Sequence, residues 1–346
     1  MKFQIDTSYL LQCFQELVAV PSPTGYSVKL NPVLARYASE LGFAVTYDNK
    51  DTAFITIDGE DNSKTVLLSA HADTVGMMVR RIDGDGKIRI RSLGGINLST
   101  VEGETVTIHT RSGKEYTGLF MCQSYSTHVF RDALTLERNE NTMMIVLDER
   151  IKTKADVEAL GIRHGDFVSV DPRCQITPNG FVKSRFIDDK GAIACCFAML
   201  KYMKENGLKP KYKTILHFPY HEEEGMGGAY LPEGVSEMVG VDIGLVGPDN
   251  DGNEYSVSIC AKDAQLTYDY TLTGRLIEYA EKADCDYAVD LYYRYGSDVN
   301  VARHAGHDLR GALIGMAVYG SHGMERTHVD GLCNTVNLML AYVLDI

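Results

Sequence analysis

Apolar residues recur at helical spacing near the start of the chain. Leu10, Leu11, Phe14, Leu17 and Val18 predict a helix over residues 8–18. Pro21-Ser-Pro-Thr-Gly25 breaks that pattern, and a second helix is expected over 28–41 with Gly42 as its stop. Two short strands are predicted over 43–47 and 52–57, turned by Asn49-Lys-Asp51. Residues 65–70 then form an apolar run of the kind buried on both faces of a sheet, and it ends at His71-Ala-Asp73.

From residue 77 to 172 the pattern changes. Short strand-like runs alternate with turns at Asp83-Gly-Asp-Gly86, Gly94-Gly95, Gly103 and Ser112-Gly113. One helix stands out, over 153–161, with Thr153 as N-cap and Gly161 as stop. This predicts a small β-rich domain over 77–172, with exposed-edge potential, inserted into a domain built from 1–76 and 173–346.

The α/β rhythm returns at Phe181. Asp188-Asp-Lys-Gly191 leads into a helix over 192–206, rich in small and apolar residues. Strands are expected over 214–220, 239–246, 264–273, 290–293 and 312–316, and helices over 276–285 and 334–344. The strand over 239–246 carries a carboxylate, Asp242, inside an apolar run. The fold class expected is a mixed-sheet α/β catalytic domain with a small inserted β-rich domain.

Composition narrows the function. At 346 residues the chain is long enough for a large core and two domains. A net charge of −13 argues against nucleic acid, and no run approaches the length of a membrane span. The opening Met1-Lys-Phe-Gln-Ile-Asp-Thr-Ser8 lacks a signal peptide's apolar core. Eight cysteines without CxxC spacing read as reduced, mostly buried thiols. A cytoplasmic protein is expected, whose metal, if any, is held by His, Asp and Glu.

The densest chemistry lies in Ile215-Leu-His-Phe-Pro-Tyr-His-Glu-Glu-Glu-Gly-Met-Gly-Gly228. It is an apolar strand that ends in three consecutive carboxylates. Carboxylates brought to one strand end repel one another, and a metal ion or a shared proton compensates them. His71, Asp73, Asp188, Asp242 and His322 also fall at strand ends or turns. An Asp two residues after a His lies on the same side of an extended chain, where it can orient the ring. Asp188 and Asp189 before a helix read equally well as ordinary capping.

The ordered set Ala70-His-Ala-Asp-Thr-Val-Gly76, Ser184-Arg-Phe-Ile-Asp-Asp-Lys-Gly191, Glu222-Glu-Glu-Gly-Met-Gly-Gly-Ala229, Val241-Asp-Ile-Gly244, Tyr295-Gly-Ser-Asp298 and His322-Gly-Met-Glu325 resembles metallopeptidase family 42. These are the glutamyl, deblocking and tetrahedral aminopeptidases. The resemblance implies a metal-dependent aminopeptidase that takes peptides with a free N-terminus. It implies two divalent ions, zinc or cobalt, roughly 3–4 Å apart as in two-metal hydrolases. By that likeness His71, Asp188, Glu223, Asp242 and His322 are metal ligands, with Asp188 bridging. Glu222 is the general base, Asp73 orients His71, and Gly296 and Asp298 line the substrate site. The likeness also implies a homo-oligomer, dimer up to dodecamer, assembled through the insertion; a lid over the site is the other role open to it.

The chain departs from the family in three places. Ala72 stands where Met or Leu is commoner, and three Glu stand where two are usual. Gly225 and Gly228-Ala229 keep Glu222 and Glu223 in register with the family pattern. In the closing motif His328 rivals His322, and Asp249 rivals Asp242. Two other functions remain open: a dinuclear amidohydrolase of acylated amino acids, and a catalytically silent assembly or peptide-binding homologue. Five basic residues, Lys262, Arg275, Arg294, Arg303 and Arg310, are candidates to read an acidic first residue, or else solvated surface.

Overall fold

The computed structural model describes residues 2–346. The chain forms two compact units, one running up to Asp73 and resuming as Arg173–Ile346, the other Thr74–Pro172. The first unit opens with α1 (Thr7–Ala19), α2 (Asn31–Glu40), β1 (Val45–Tyr47), β2 (Ala53–Ile57) and β3 (Asp61–Ser69). Asp6 caps α1 by accepting the Tyr9 N–H at 3.0 Å, and Leu10, Cys13, Phe14, Leu17 and Val18 turn inward. Helix α2 starts three residues later than periodicity suggests. Pro32 sits in its first turn, and Val28 is left exposed.

The second unit holds β4 (Gly76–Ile82), β5 (Ile88–Leu93), β6 (Thr105–His109), β7 (Glu115–Cys122), β8 (Met143–Leu147), α3 (Lys154–Ala159) and β9 (Phe167–Val170). Its strands close into a barrel in the order β4-β5-β8-β7-β6-β9. Closure pairs every strand on both sides, so the expected exposed edges are absent from it. Val79, Ile88, Ile90, Val106, Ile108, Phe120 and Ile145 fill the interior.

The first unit resumes with β10 (Gln175–Ile176), β11 (Phe181–Ser184), α4 (Ile187–Glu205), β12 (Tyr212–Phe218), β13 (Val235–Val241), β14 (Gly244–Leu245) and β15 (Val257–Lys262). It ends with α5 (Tyr270–Lys282), β16 (Tyr287–Leu291), α6 (Asp298–His304), β17 (Arg310–Val318), β18 (Glu325–His328) and α7 (Val329–Leu344). The main sheet has nine strands, in the order β1-β2-β12-β3-β13-β17-β15-β16, with β14 on β17. The centre, β12-β3-β13-β17, is parallel, and the flanking pairs β2·β12 and β15·β17 are antiparallel. This is the expected mixed-sheet α/β fold. Helix α4 packs against α1 and α7 and is buried on every face from Ile187 to Leu200.

One element differs in kind. Residues 264–273 carry strand-forming side chains, yet the strand is β15, and 270–282 is helical. Asp263 accepts the N–H groups of Gln265 and Leu266 and turns the chain. Asp269 then caps α5 by accepting the Leu272 N–H at 2.8 Å. Two local side chains thus override the β propensity of Tyr268, Thr271 and Thr273.

Candidate active site

Parallel pairing explains how remote residues meet. Strands β3 and β12 run side by side, and their alignment continues past both ends: Ala70 N–H donates to His217 O, and Ala72 N–H to Pro219 O. His71-Ala-Asp73 and Glu222–Glu224 therefore leave the sheet together. Strand β13, on the other side of β3, ends immediately before Asp242. The start of α4 supplies Asp188 and Asp189, and the turn between β17 and β18 supplies His322. This is the carboxyl end of a parallel sheet, where open α/β folds place their sites.

Asp73 is fully buried, and its carboxylate accepts three donors. They are the Thr24 hydroxyl at 2.8 Å, the Glu222 N–H at 3.1 Å and the Glu223 N–H at 3.3 Å. His71 Nδ1 lies 2.9 Å from the Asp73 backbone carbonyl but 3.6 Å from its carboxylate. The main chain of Asp73 thus sets the His71 tautomer, while its side chain holds the glutamate turn. That tautomer leaves Nε2 facing Asp188 Oδ1, at 2.9 Å.

The other Asp188 oxygen, Oδ2, lies 3.5 Å from His322 Nε2, so one carboxylate sits between two imidazoles. Glu223 Oε2 lies 3.3 Å from the same His322 nitrogen, and Glu222 Oε2 lies 3.9 Å from His71 Nε2. Donor atoms of His71, Asp188 and Glu223 fall within 4.8 Å of one another, as do those of His71, Asp189 and Asp242. Phe186, His221 and His322 adopt left-handed backbone, at φ +67°, +79° and +60°. Strain of this kind at non-glycine residues gathers where a site demands it. The Asp188–Asp189 peptide is cis.

The charges are unbalanced. Burial, the nearby Asp298 and Asp242, and Glu223 push the Glu222 carboxyl well up, against the pull of His71. Burial and Asp188 raise Glu223 to about 8, and burial and Asp188 raise Asp242 to about 6. Burial together with Asp242 raises Asp189 strongly. Asp188 goes the other way: burial opposes its charge, but hydrogen bonds from His322 and His71 hold it well below the carboxylate range. Burial works against a charge on His71 too, yet Asp188 and Asp73 outweigh it and raise the ring well above its ordinary value. Asp189 Oδ1 is buried without a hydrogen-bond partner. An orphaned carboxyl oxygen among hard oxygen and imidazole donors, short of positive charge, is what a divalent cation would satisfy. The residues fit a metal site.

The rival residues lie elsewhere. His328 caps α7: its Nδ1 accepts the Asp330 N–H at 3.1 Å, and Nε2 faces the Asn179 carbonyl at 2.8 Å. Asp249 is exposed in the loop after β14. Asp298 opens α6 nearly buried, with the Ser69 hydroxyl 3.4 Å from Oδ2. A Cβ on Gly227 would fall 2.3 Å from Asp298 Oδ1, and one on Gly228 would fall 2.0 Å from its carbonyl oxygen. Two glycines thus let α6 press directly on the turn over 227–229 that follows the glutamates. Gly296 packs as closely, against Gln265. Of the basic residues, Arg275 pairs with Glu237 and Arg310 with Asp269. Arg303 donates to the Thr267 carbonyl and Lys262 to that of Asp263, while Arg294 is exposed.

Sequence reasoning passed over Asp189, Thr24 and Glu325. Asp189 Oδ2 accepts the His71 N–H at 3.0 Å. The doubled Asp was visible, but capping explained it equally well. Nothing local marks Thr24, and Glu325 closes the motif His322-Gly-Met-Glu325 without any sign of its role.

The model of the M42 glutamyl aminopeptidases matches residues 52–338. The chain belongs to the M42 family. YhfE of Bacillus subtilis, carried under a provisional aminopeptidase name, is 40% identical over 334 residues, 96% of each chain. The TET aminopeptidase of Thaumarchaeota archaeon SCGC AB-539-E09 shares the fold at TM-score 0.89 and 15% identity, covering 99% of this chain and 97% of that one. The TET1 peptidase of Pyrococcus horikoshii, described as assembling into a tetrahedron or a large octahedral shell, does so at TM-score 0.83 and 18% identity, covering 97% of this chain and all of that one (100%). Among the described residues of this M42 protein, no helix is long and apolar enough to cross a membrane.

Proposed function

We propose that this chain is a cytoplasmic, metal-dependent aminopeptidase that removes single N-terminal residues from peptides. One observation carries the reading: the Asp188 carboxylate lies between His71 and His322, with Glu223 and Asp242 converging on the same space. His71 and Asp242 would hold one divalent ion, Glu223 and His322 a second, and Asp188 would be shared. Zinc and cobalt both suit these donors. When bound, such ions supply Lewis acidity and lower the pKa of water.

The remaining work falls to the chain itself. Glu222 stands next to the ligand set, where burial raises its carboxyl well above the ordinary range and makes its carboxylate a stronger base. It takes a proton from the attacking water and returns it to the leaving amine. Asp73 holds Glu222 and Glu223 by their N–H groups, so base and ligand move as one body. The carboxylate-rich floor attracts a cationic α-amino group, which restricts cleavage to the first residue. The barrel of Thr74–Pro172 serves assembly of a homo-oligomer, a reading supported by the shells that the Pyrococcus relative forms.

The test uses metal-stripped protein and a panel of aminoacyl-nitroanilides. Zinc or cobalt is expected to restore cleavage of substrates with a free amine and not of their N-acetylated forms. Cleavage of acylated amino acids alone would replace this reading with an amidohydrolase.

A further inference from the structure

Glu325 is 2% exposed and carries two backbone donors on its carboxylate. Oε2 accepts the N–H of Asp188 at 3.0 Å, and Oε1 accepts the N–H of His322 at 3.2 Å. The two donors come from segments that no helix or strand holds firmly. Asp188 lies at a break in α4, with φ −72° and ψ 101°. His322 lies in a turn with left-handed backbone.

The small sheet explains how one side chain reaches both. Strand β18 pairs antiparallel with β11, and Glu325 sits opposite Ser184. Strand β11 ends there, and the chain reaches Asp188 four residues later. His322 is three residues before Glu325 on the other arm. Each carboxylate oxygen therefore meets one arm. Hydrogen bonds are direction-sensitive, and two made to one buried side chain fix where each donor's own side chain starts from.

We propose that Glu325 is a positioning residue, one that sets the spacing between Asp188 and His322 through their backbones. The inference rests on the metal reading above, in which those two residues share an ion. Their side chains already approach to 3.5 Å. Outer-shell partners that orient ligands are typically worth ~10–100-fold in metal affinity. A merely structural Glu325 would instead lower stability and leave the ions alone.

Glu325→Gln separates the two. A carboxamide offers one acceptor oxygen and one NH2 group, so one arm loses its acceptor and meets a donor. Metal-free wild type, Glu325→Gln, His322→Ala and the double variant are titrated with Co2+ alone, by its visible absorption and against a competing chelator. Thermal unfolding is followed in parallel. Wild type is expected to take up two ions. Glu325→Gln is expected to hold the first as wild type does and the second ~10–100-fold more weakly. The double variant is expected to match His322→Ala, because Glu325 acts on the spacing between Asp188 and His322, and without the His322 ring that spacing no longer matters. If Glu325→Gln does not fold, Glu325→Asp, whose shorter carboxylate reaches one arm only, is expected to show the same selective loss. Wild-type affinity for both ions in a folded Glu325 variant would overturn the inference. So would equal weakening of both ions alongside a lowered melting temperature. If wild type itself binds no ion, the metal reading fails first and this one with it.

Discussion

The carboxylate of Asp73 accepts the backbone N–H of Glu222, 149 residues further along the chain, at 3.1 Å. That bond and its neighbour from Glu223 make Asp73 the anchor of the glutamate turn. Its link to His71 runs through the main-chain carbonyl instead. Asp73→Asn is therefore expected to act on the base more than on the first ligand. An amide NH2 would face a backbone donor, and the turn would shift. Turnover should fall on the order of 10²-fold, the scale of a small misplacement at a reacting centre. The ion at His71 should stay, while the one at Glu223, which shares the displaced turn, should weaken. Steady-state kinetics with metal analysis checks both; selective loss of the ion at His71 would show that Asp73 orients His71 after all.

Glu222 and Asp188 should separate base from ligand. Glu222→Gln is expected to keep both ions and lose ~10²–10⁴-fold in turnover. Asp188→Ala is expected to lose metal, since it removes the carboxylate that lies between His71 and His322. A fully active Glu222→Gln would remove Glu222 from the proposed mechanism.

The two closing histidines should behave differently. His322 faces Asp188 and Glu223, whereas both ring nitrogens of His328 serve the α7 cap and the Asn179 carbonyl. His322→Ala should cost an ion with little change in melting temperature. His328→Ala should keep the ions and cost roughly 1 kcal/mol, the usual value of a helix cap. Ion counting and thermal denaturation on the pair decide it.

Acid should destabilise the fold through His217. This ring is fully buried, stacked on Phe54, with Nδ1 2.8 Å from the Ser69 hydroxyl. Burial, and secondarily Lys50, push its pKa down to about 3. Between about pH 6.5 and 3 the unfolded chain binds a proton there and the folded one does not. Stability then rises with pH in that window and is lost as pH falls, by at most ~1.4 kcal/mol per unit. Urea unfolding of His217→Gln should show a shallower slope than wild type between about pH 6 and 4. Equal slopes would exclude His217 as the source.

Much of the architecture is local and therefore legible in sequence. The apolar stripe of α1, the Thr153 cap of α3 and the apolar runs that become β3, β12 and β17 are decided by residues within a few positions of one another. The order of the motifs sufficed for family membership, which the match over residues 52–338 bears out. Where local signals competed, pattern alone misled: strand propensity over 264–273 lost to the turn at Asp263 and the cap at Asp269.

Tertiary structure decided the rest, because distance through space is not written in spacing along the chain. His322 and His328 are six residues apart and both open as ligands, with only the family spacing favouring His322, yet His322 precedes β18 and His328 ends it, which directs them to different neighbours. Asp242 and Asp249 are separated in the same way by the end of β14. Closure of the barrel, the grip of Asp73 on Glu222 and the double bond of Glu325 all depend on strand register. Register is set by which apolar faces bury together. The residue types able to bind a metal could be read from the chain alone, but which of them converge is a property of the parallel sheet and its small antiparallel neighbour.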